Sequence, residues 1–208
     1  MIVRVRGFRS GALGVLASTF VVGMTMTPAS AVTVSVDVVD FSFNPTSTAQ
    51  VVGQAVEWRF NIGMPAGSTH TATDTSGLAT FDSGFKAPNT TFVFTPGAAG
   101  TYSYHCAIHG SMTATLNVRD KVMPASGTVT TSFVVRWATV AVPGLVYDVQ
   151  VKRPGSAAFA PLVTGTAAQF VQFVPDAGAG VYKFRSLTRR TSSGASSAFS
   201  PTKSITVS

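Results

Sequence analysis

Short runs in which apolar and polar positions alternate dominate the chain from residue 32 onward. Val32-Thr33-Val34-Ser35-Val36-Asp37-Val38 puts every second side chain on one face, the period of a half-buried strand. Residues 100–105, 134–137, 146–151 and 180–185 carry the same period, and glycine, proline and serine clusters separate them. Helical periodicity is poor, and the β-branched and aromatic residues that suit a pleated surface are abundant. The pattern predicts an all-β protein.

The amino terminus departs from this pattern. Arg4, Arg6 and Arg9 precede a mostly apolar stretch from residue 11 to 26, and Pro28-Ala29-Ser30-Ala31 follows with alanine at the two positions a signal peptidase reads. Residues 1–31 are therefore expected to be a signal peptide, and the protein to be exported to an extracellular, periplasmic or cell-envelope location. An uncleaved membrane anchor is disfavoured, because Gly14, Ser18, Thr19 and Gly23 interrupt the stretch and it falls short of the ~20 residues needed to span a bilayer. What remains is too long for one β-sandwich of roughly 100 residues and suits two.

Charge divides the remainder. From residue 32 to 120, three basic residues (Arg59, Lys86, Arg119) face six acidic ones (Asp37, Asp40, Glu57, Asp74, Asp82, Asp120). From residue 121 to 208, nine basic residues face only Asp148 and Asp176, a net of +7. The switch coincides with Lys121-Val122-Met123-Pro124-Ala125-Ser126, whose proline would end a strand, so domains are expected at 32–120 and 121–208.

The chemistry concentrates in the first of these. A single cysteine, Cys106, cannot form an internal disulfide, and in an exported chain metal coordination would protect it from oxidation. Along 102–106, Tyr102, Tyr104 and Cys106 share one face while Ser103 and His105 share the other, so His105 is expected to be a solvated strand residue. The loop that follows can curl His109 and Met112 back toward the sulfur, and His70 must come from elsewhere in the fold. One thiolate, two imidazoles and one thioether form the ligand set of a blue-copper site. Met64 is a rival thioether, although it better fits an apolar surface beside the site.

At this point residues 32–120 resemble a small cupredoxin of the plastocyanin, pseudoazurin and amicyanin type. Gly53-Gln54-Ala55-Val56-Glu57-Trp58, His70-Thr71-Ala72-Thr73, Phe81-Asp82-Ser83-Gly84 and the hairpin from Pro96-Gly97 to Met112 match that family's motifs in order. The resemblance implies a Greek-key sandwich holding one type 1 copper, with Cys106, His70 and His109 as equatorial ligands, Met112 as weak axial ligand, and the Thr71 amide donating to the cysteine sulfur. Residues 61–69 make a longer approach to the first histidine than the shortest members have, which predicts an unusual surface beside the copper.

The second half resembles a fibronectin type III domain, with Trp137 in an early strand, Tyr147-Asp148-Val149-Gln150-Val151 in a middle one and a tyrosine-corner-like Tyr182. This implies a second antiparallel sandwich, serving as a spacer or for docking.

Nucleophile elbow, phosphate loop and dinucleotide fingerprint are all missing from the sequence, and three histidines are too few for further copper centres, so enzymatic activity is not expected. The expected function is one-electron transfer to a redox partner protein. The alternatives are a non-redox copper carrier or buffer, and a surface adhesion protein with an accessory copper domain. The basic second half, with Arg189 and Arg190 adjacent, is expected to meet anionic envelope polymers or a membrane surface rather than nucleic acid.

Overall fold

The computed structural model describes residues 33–39 and 41–208, so the signal-peptide expectation for residues 1–31 lies outside the described residues. Strands alone make up the regular structure among the described residues, as the alternating pattern requires. The first eight are β1 (Val34–Val39), β2 (Ser42–Asn44), β3 (Ser47–Val51), β4 (Val56–Phe60), β5 (Thr73–Asp74), β6 (Thr90–Phe94), β7 (Gly100–His105) and β8 (Thr113–Arg119). They form two sheets, in the orders β2-β1-β4-β6 and β3-β8-β7-β5.

Two pairs in this sandwich are parallel, β1 with β4 and β3 with β8, and each joins strands separated by a crossover, as a parallel pair requires. Aromatic side chains close the space between the sheets. Trp58 of β4 meets Tyr104 of β7 edge to face at 5.5 Å, and Phe81 stacks on Trp58 at 5.2 Å. Trp58 is fully buried, and truncating such a side chain to alanine costs about 3–5 kcal/mol.

The second eight are β9 (Lys121–Met123), β10 (Ser126–Gly127), β11 (Phe133–Arg136), β12 (Leu145–Lys152), β13 (Ala160–Thr166), β14 (Phe170–Phe173), β15 (Gly180–Arg190) and β16 (Lys203–Val207). Their sheets run β14-β11-β9 and β10-β16-β15-β12-β13. Along β12 the alternation is complete: Leu145, Tyr147, Val149 and Val151 are buried, while Val146, Asp148, Gln150 and Lys152 are not. Phe173 of β14 packs on Tyr182 and Phe184 of β15, bridging the sheets at 5.4 and 5.2 Å.

Each sandwich carries the same tyrosine device. The hydroxyl of Tyr182 donates to Gly178 O at 2.9 Å and accepts from the Ala177 amide at 2.8 Å. The hydroxyl of Tyr102 reaches back by the same interval to Ala98 O at 3.0 Å. Both tie the start of a long strand to the loop before it.

The two sandwiches meet through bonded contacts rather than a linker. β8 ends at Arg119 and β9 begins at Lys121, so Asp120 alone joins them. Asp120 is fully buried and accepts a hydrogen bond from the Ser186 hydroxyl of β15 at 2.7 Å. Thr101 exchanges both backbone hydrogen bonds with Ala198, each 3.0 Å, and the Ala99 amide donates to Trp137 O at 2.7 Å. The hydroxyls of Tyr102 and Thr188 lie 3.2 Å apart. A Cβ at Gly100 would fall 2.9 Å from Ser197 Cβ, so the close approach of the strands requires glycine there. The cores also interlock: Leu145 packs with the first, and Ala99 with the second.

Candidate metal centre

β7 delivers Cys106 to the inner face, as the alternation predicts: Tyr102, Tyr104 and Cys106 are buried, while His105 is partly exposed and paired across the sheet with Thr73 and Thr113. The loop after Cys106 folds on itself through three backbone bonds. The His109 amide donates to Cys106 O at 3.2 Å, the Met112 amide to His109 O at 2.9 Å, and the Cys106 amide to Met112 O at 3.0 Å. This closure turns His109 back over the sulfur and buries Met112.

His70 arrives from the other side of the sheet edge, held by paired backbone bonds to Lys86 of 3.2 and 2.8 Å. The next residue serves the site twice. Thr71 N–H donates to Cys106 Sγ at 3.3 Å, and Thr71 Oγ1 accepts the Ala107 amide at 2.7 Å. Thr71 therefore fixes both the sulfur and the start of the ligand loop.

Three donor atoms converge. His70 Nδ1 and His109 Nδ1 are 3.1 Å apart, and Cys106 Sγ lies 3.5 Å from His109 Nδ1 and 3.8 Å from His70 Nδ1. Three points with these separations lie on a circle of radius about 2.0 Å, so one ion in their plane would meet all three near the ~2.0–2.3 Å of imidazole and thiolate bonds. A fourth donor of carboxylate or imidazole type is missing from this group among the described residues, and His105 does not join it. The chemistry of the set is soft, and a planar triangle of two nitrogens and one sulfur with a buried methionine suits copper better than the closed tetrahedron of structural zinc.

Burial supports the same arrangement. Cys106 and His70 are inaccessible, and His109 is partly exposed, so a single imidazole connects the group to solvent. Loss of hydration, with the nearby His109 charge as a lesser cause, lowers the pKa of His70 and keeps its ring neutral. A neutral ring presents a free lone pair at Nδ1 when its proton sits on Nε2.

One residue at the site carried no signal in the sequence. Phe41 is 55% exposed, adopts the left-handed φ of +61°, and sets its ring edge-on to both His109 (4.7 Å) and His70 (5.7 Å). A bulky side chain in that conformation is strained, which marks the position. Phe41 also borders a depression of about 440 Å³ that reaches His70 and is walled by Asn61, Met64, Pro65 and Gly67. The extended 61–69 approach builds this wall. Asn61 Nδ2 clamps Ser68 O at 2.6 Å, and a Cβ at Gly67 would collide with the Asn61 side chain at 2.7 Å. Met64 thus lines the surface beside His70 and is 39% exposed, whereas Met112 is buried in the core next to Cys106.

The two arginines singled out in the second half have separate partners. Arg189 pairs with Asp148 at 3.3 Å, and Arg190 donates to Leu78 O of the first sandwich.

Comparison with known proteins finds no matching family model and no matching curated protein. Among solved structures the chain is similar to amicyanin. One reduced variant is 21% identical over 44% of this chain and 86% of its own, with a TM-score of 0.37. An oxidized variant is 21% identical over 45% of this chain and 86% of its own, at 0.37, and another reduced variant is 22% identical over 43% and 84%, at 0.38.

Proposed function

We propose that this protein is an exported type 1 copper protein that carries single electrons, with Cys106, His70 and His109 as the equatorial ligands and Met112 as the axial one. The observation that carries this is the triangle of Cys106 Sγ and the two Nδ1 atoms, sized for one ion in its plane. Copper bound there would supply a one-electron couple, Cu(II) to Cu(I).

The chain's own residues suit that task. Cys106 and His70 are held by the Thr71 amide, the closed 106–112 loop and the Lys86 bridge, so the donors are fixed before the ion arrives. Donors that do not move between oxidation states keep reorganisation small, which favours fast transfer over chemistry on a bound substrate. Only His109 reaches solvent, and exposed Phe41, Met64 and Ile108 surround that edge of the site with apolar surface. Such a rim suits brief docking of a redox partner protein, with the electron passing through the His109 ring. Export fits a free cysteine that is fully buried and given a ligand's task. The second sandwich, of fibronectin type III kind, is in this reading a rigid extension of the copper domain.

Adding Cu(II) to the purified protein tests the proposal. The expected result is an intense blue colour from sulfur-to-copper charge transfer at one copper per chain, lost in Cys106→Ser. Bound copper without that colour would overturn it. A blue site that cannot be cycled reversibly at an electrode would point to copper carriage instead.

A further inference from the structure

The seam between the sandwiches holds a second cavity, partly open to solvent and away from the copper donors. It has a volume of about 280 Å³ and is lined from both halves: Leu78, Phe94 and Tyr102 from the first, Val142, Thr188 and Arg190 from the second. We propose that this cavity binds a small organic anion with an apolar body, an aromatic or branched carboxylate, whose charge pairs with Arg190.

The chemistry of the walls selects that class. Leu78 and Phe94 offer apolar surface, and Val142 adds an apolar side chain that is 41% exposed. Of the four hydroxyls in the lining, three already donate their proton, and the fourth, on Thr95, is exposed. The Tyr102 and Thr188 hydroxyls donate to the carbonyls of Ala98 and Ala99, each at 3.0 Å, and the Thr80 hydroxyl donates to Asp74 Oδ2 at 2.8 Å. Arg190 differs. It is the one charged side chain in the lining, no carboxylate among the described residues pairs with it, and only one of its amino groups is engaged, on Leu78 O. A half-buried guanidinium with spare donors beside apolar walls prefers an anion, and a carboxylate matches its fork.

The cavity is built and held open. Gly97 at its edge leaves room for Val140, whose Cγ2 would sit 3.2 Å from a Cβ there, and the Thr139 amide fastens the same loop to Gly97 O at 2.9 Å. Its size lies near the lower end of ligand sites, about 300–1,000 Å³, so the occupant is small. Sites of this kind favour domain interfaces, because two rigid surfaces meet there without filling the space between them.

Naphthalene-1-carboxylate, with 1-naphthalenemethanol as its neutral counterpart, provides the test by fluorescence and calorimetry on the whole protein. One saturable site for the carboxylate is expected. Arg190→Gln should weaken the carboxylate by roughly tenfold or more while changing the alcohol little. Val142→Trp, at an exposed position outside the strands, should block both. Carboxylate binding that survives Val142→Trp, equal losses of both probes on Arg190→Gln, or no saturable site in the wild type would each overturn the proposal. Both variants can be checked for an unchanged blue band, so a failure here is distinguishable from a failure of the copper site.

Discussion

The ring of Phe41 stands edge-on to the imidazole of His109, centroids 4.7 Å apart and planes at 88°. That contact covers part of the one donor ring that reaches solvent, at the cost of a strained backbone at φ +61°. A covered imidazole sits in a drier environment, which disfavours the more highly charged oxidised state.

Phe41→Ala should therefore lower the reduction potential. Water admitted beside His109 should change the Cu(II)/Cu(I) balance by around a decade, about 59 mV for one electron. Phe41→Gly should lower it similarly and also raise the melting temperature, because glycine relieves the left-handed strain that alanine keeps. Protein-film voltammetry and thermal melts on the two variants separate the effects. A potential unmoved in both would remove Phe41 from the site.

Thr71 should prove structural through its hydroxyl and electronic through its amide. Thr71→Val leaves the N–H that donates to Cys106 Sγ but strands the Ala107 amide that Oγ1 accepts at 2.7 Å. A buried donor left without a partner costs about 1–3 kcal/mol, and this one, on exposed Ala107 with the bond partly buried, should cost towards the lower end of that range. The expected outcome is a lower melting temperature with the blue band kept. Loss of the band in Thr71→Val would mean that the hydroxyl, not the amide, organises the sulfur.

The two loop ligands should behave differently. His109→Ala removes one corner of the donor triangle and should abolish stable copper binding, measured by competition with a chelator. Met112→Leu keeps the triangle and the buried volume, so it should retain the blue colour and raise the potential. Equal loss of copper from both variants would assign Met112 a stronger bond than an axial thioether makes.

The ligand loop was legible because its chemistry is local: Cys106, His109 and Met112 lie within seven residues, and the alternation along β7 already separated Cys106 from His105. The gross architecture was legible because a period of two cannot be mistaken for a helix. Strand direction was not, since β1 beside β4 and β3 beside β8 alternate the same way whether parallel or antiparallel. Phe41 escaped notice because a left-handed backbone is signalled in sequence by glycine or asparagine, not by phenylalanine. The tyrosine corner at Tyr182 was legible, and its counterpart at Tyr102 could have been read: Gly100-Thr101-Tyr102 and Gly180-Val181-Tyr182 repeat the same step, each following a proline and small residues. The burial of Asp120 could not, because it depends on how the sandwiches pack, which brings Ser186 of β15 onto a residue 66 positions earlier in the chain.

Asp120 should make stability depend on pH in an unusual sense. Burial pushes its pKa up to about 7, the Ser186 hydroxyl only partly opposing this, and Asp120 Oδ2 has no hydrogen-bond partner. The folded state then holds a proton that the unfolded chain releases near the ordinary aspartate value. Stability from this group is complete below about pH 4 and declines as the pH rises through about 7, by up to about 4 kcal/mol. Asp120→Asn should abolish the decline, so the variant gains on the wild type between about pH 4 and 8. Denaturant melts of both proteins across that range, in a Cys106→Ser background that removes copper, provide the check. Parallel curves would show that Asp120 is hydrated or paired in solution.

The basic second sandwich should bind anionic surfaces through lysines rather than through the arginine pair. Arg189 is paired with Asp148, Arg153 with Asp176, and Arg190 is turned into the seam, so none of the three is free to meet a polyanion. Lys152 and Lys183 are directly opposite each other on β12 and β15, where like charges repel and gain by meeting a negative surface. Reversing both, Lys152→Glu with Lys183→Glu, should weaken binding of the whole protein to anionic lipid vesicles more than Arg189→Glu does. Wild-type binding should also fade as salt shortens the Debye length from ~10 Å at 0.1 M to ~3 Å at 1 M. Binding that ignores salt, or that survives the lysine reversals unchanged, would leave the second sandwich with a structural role only.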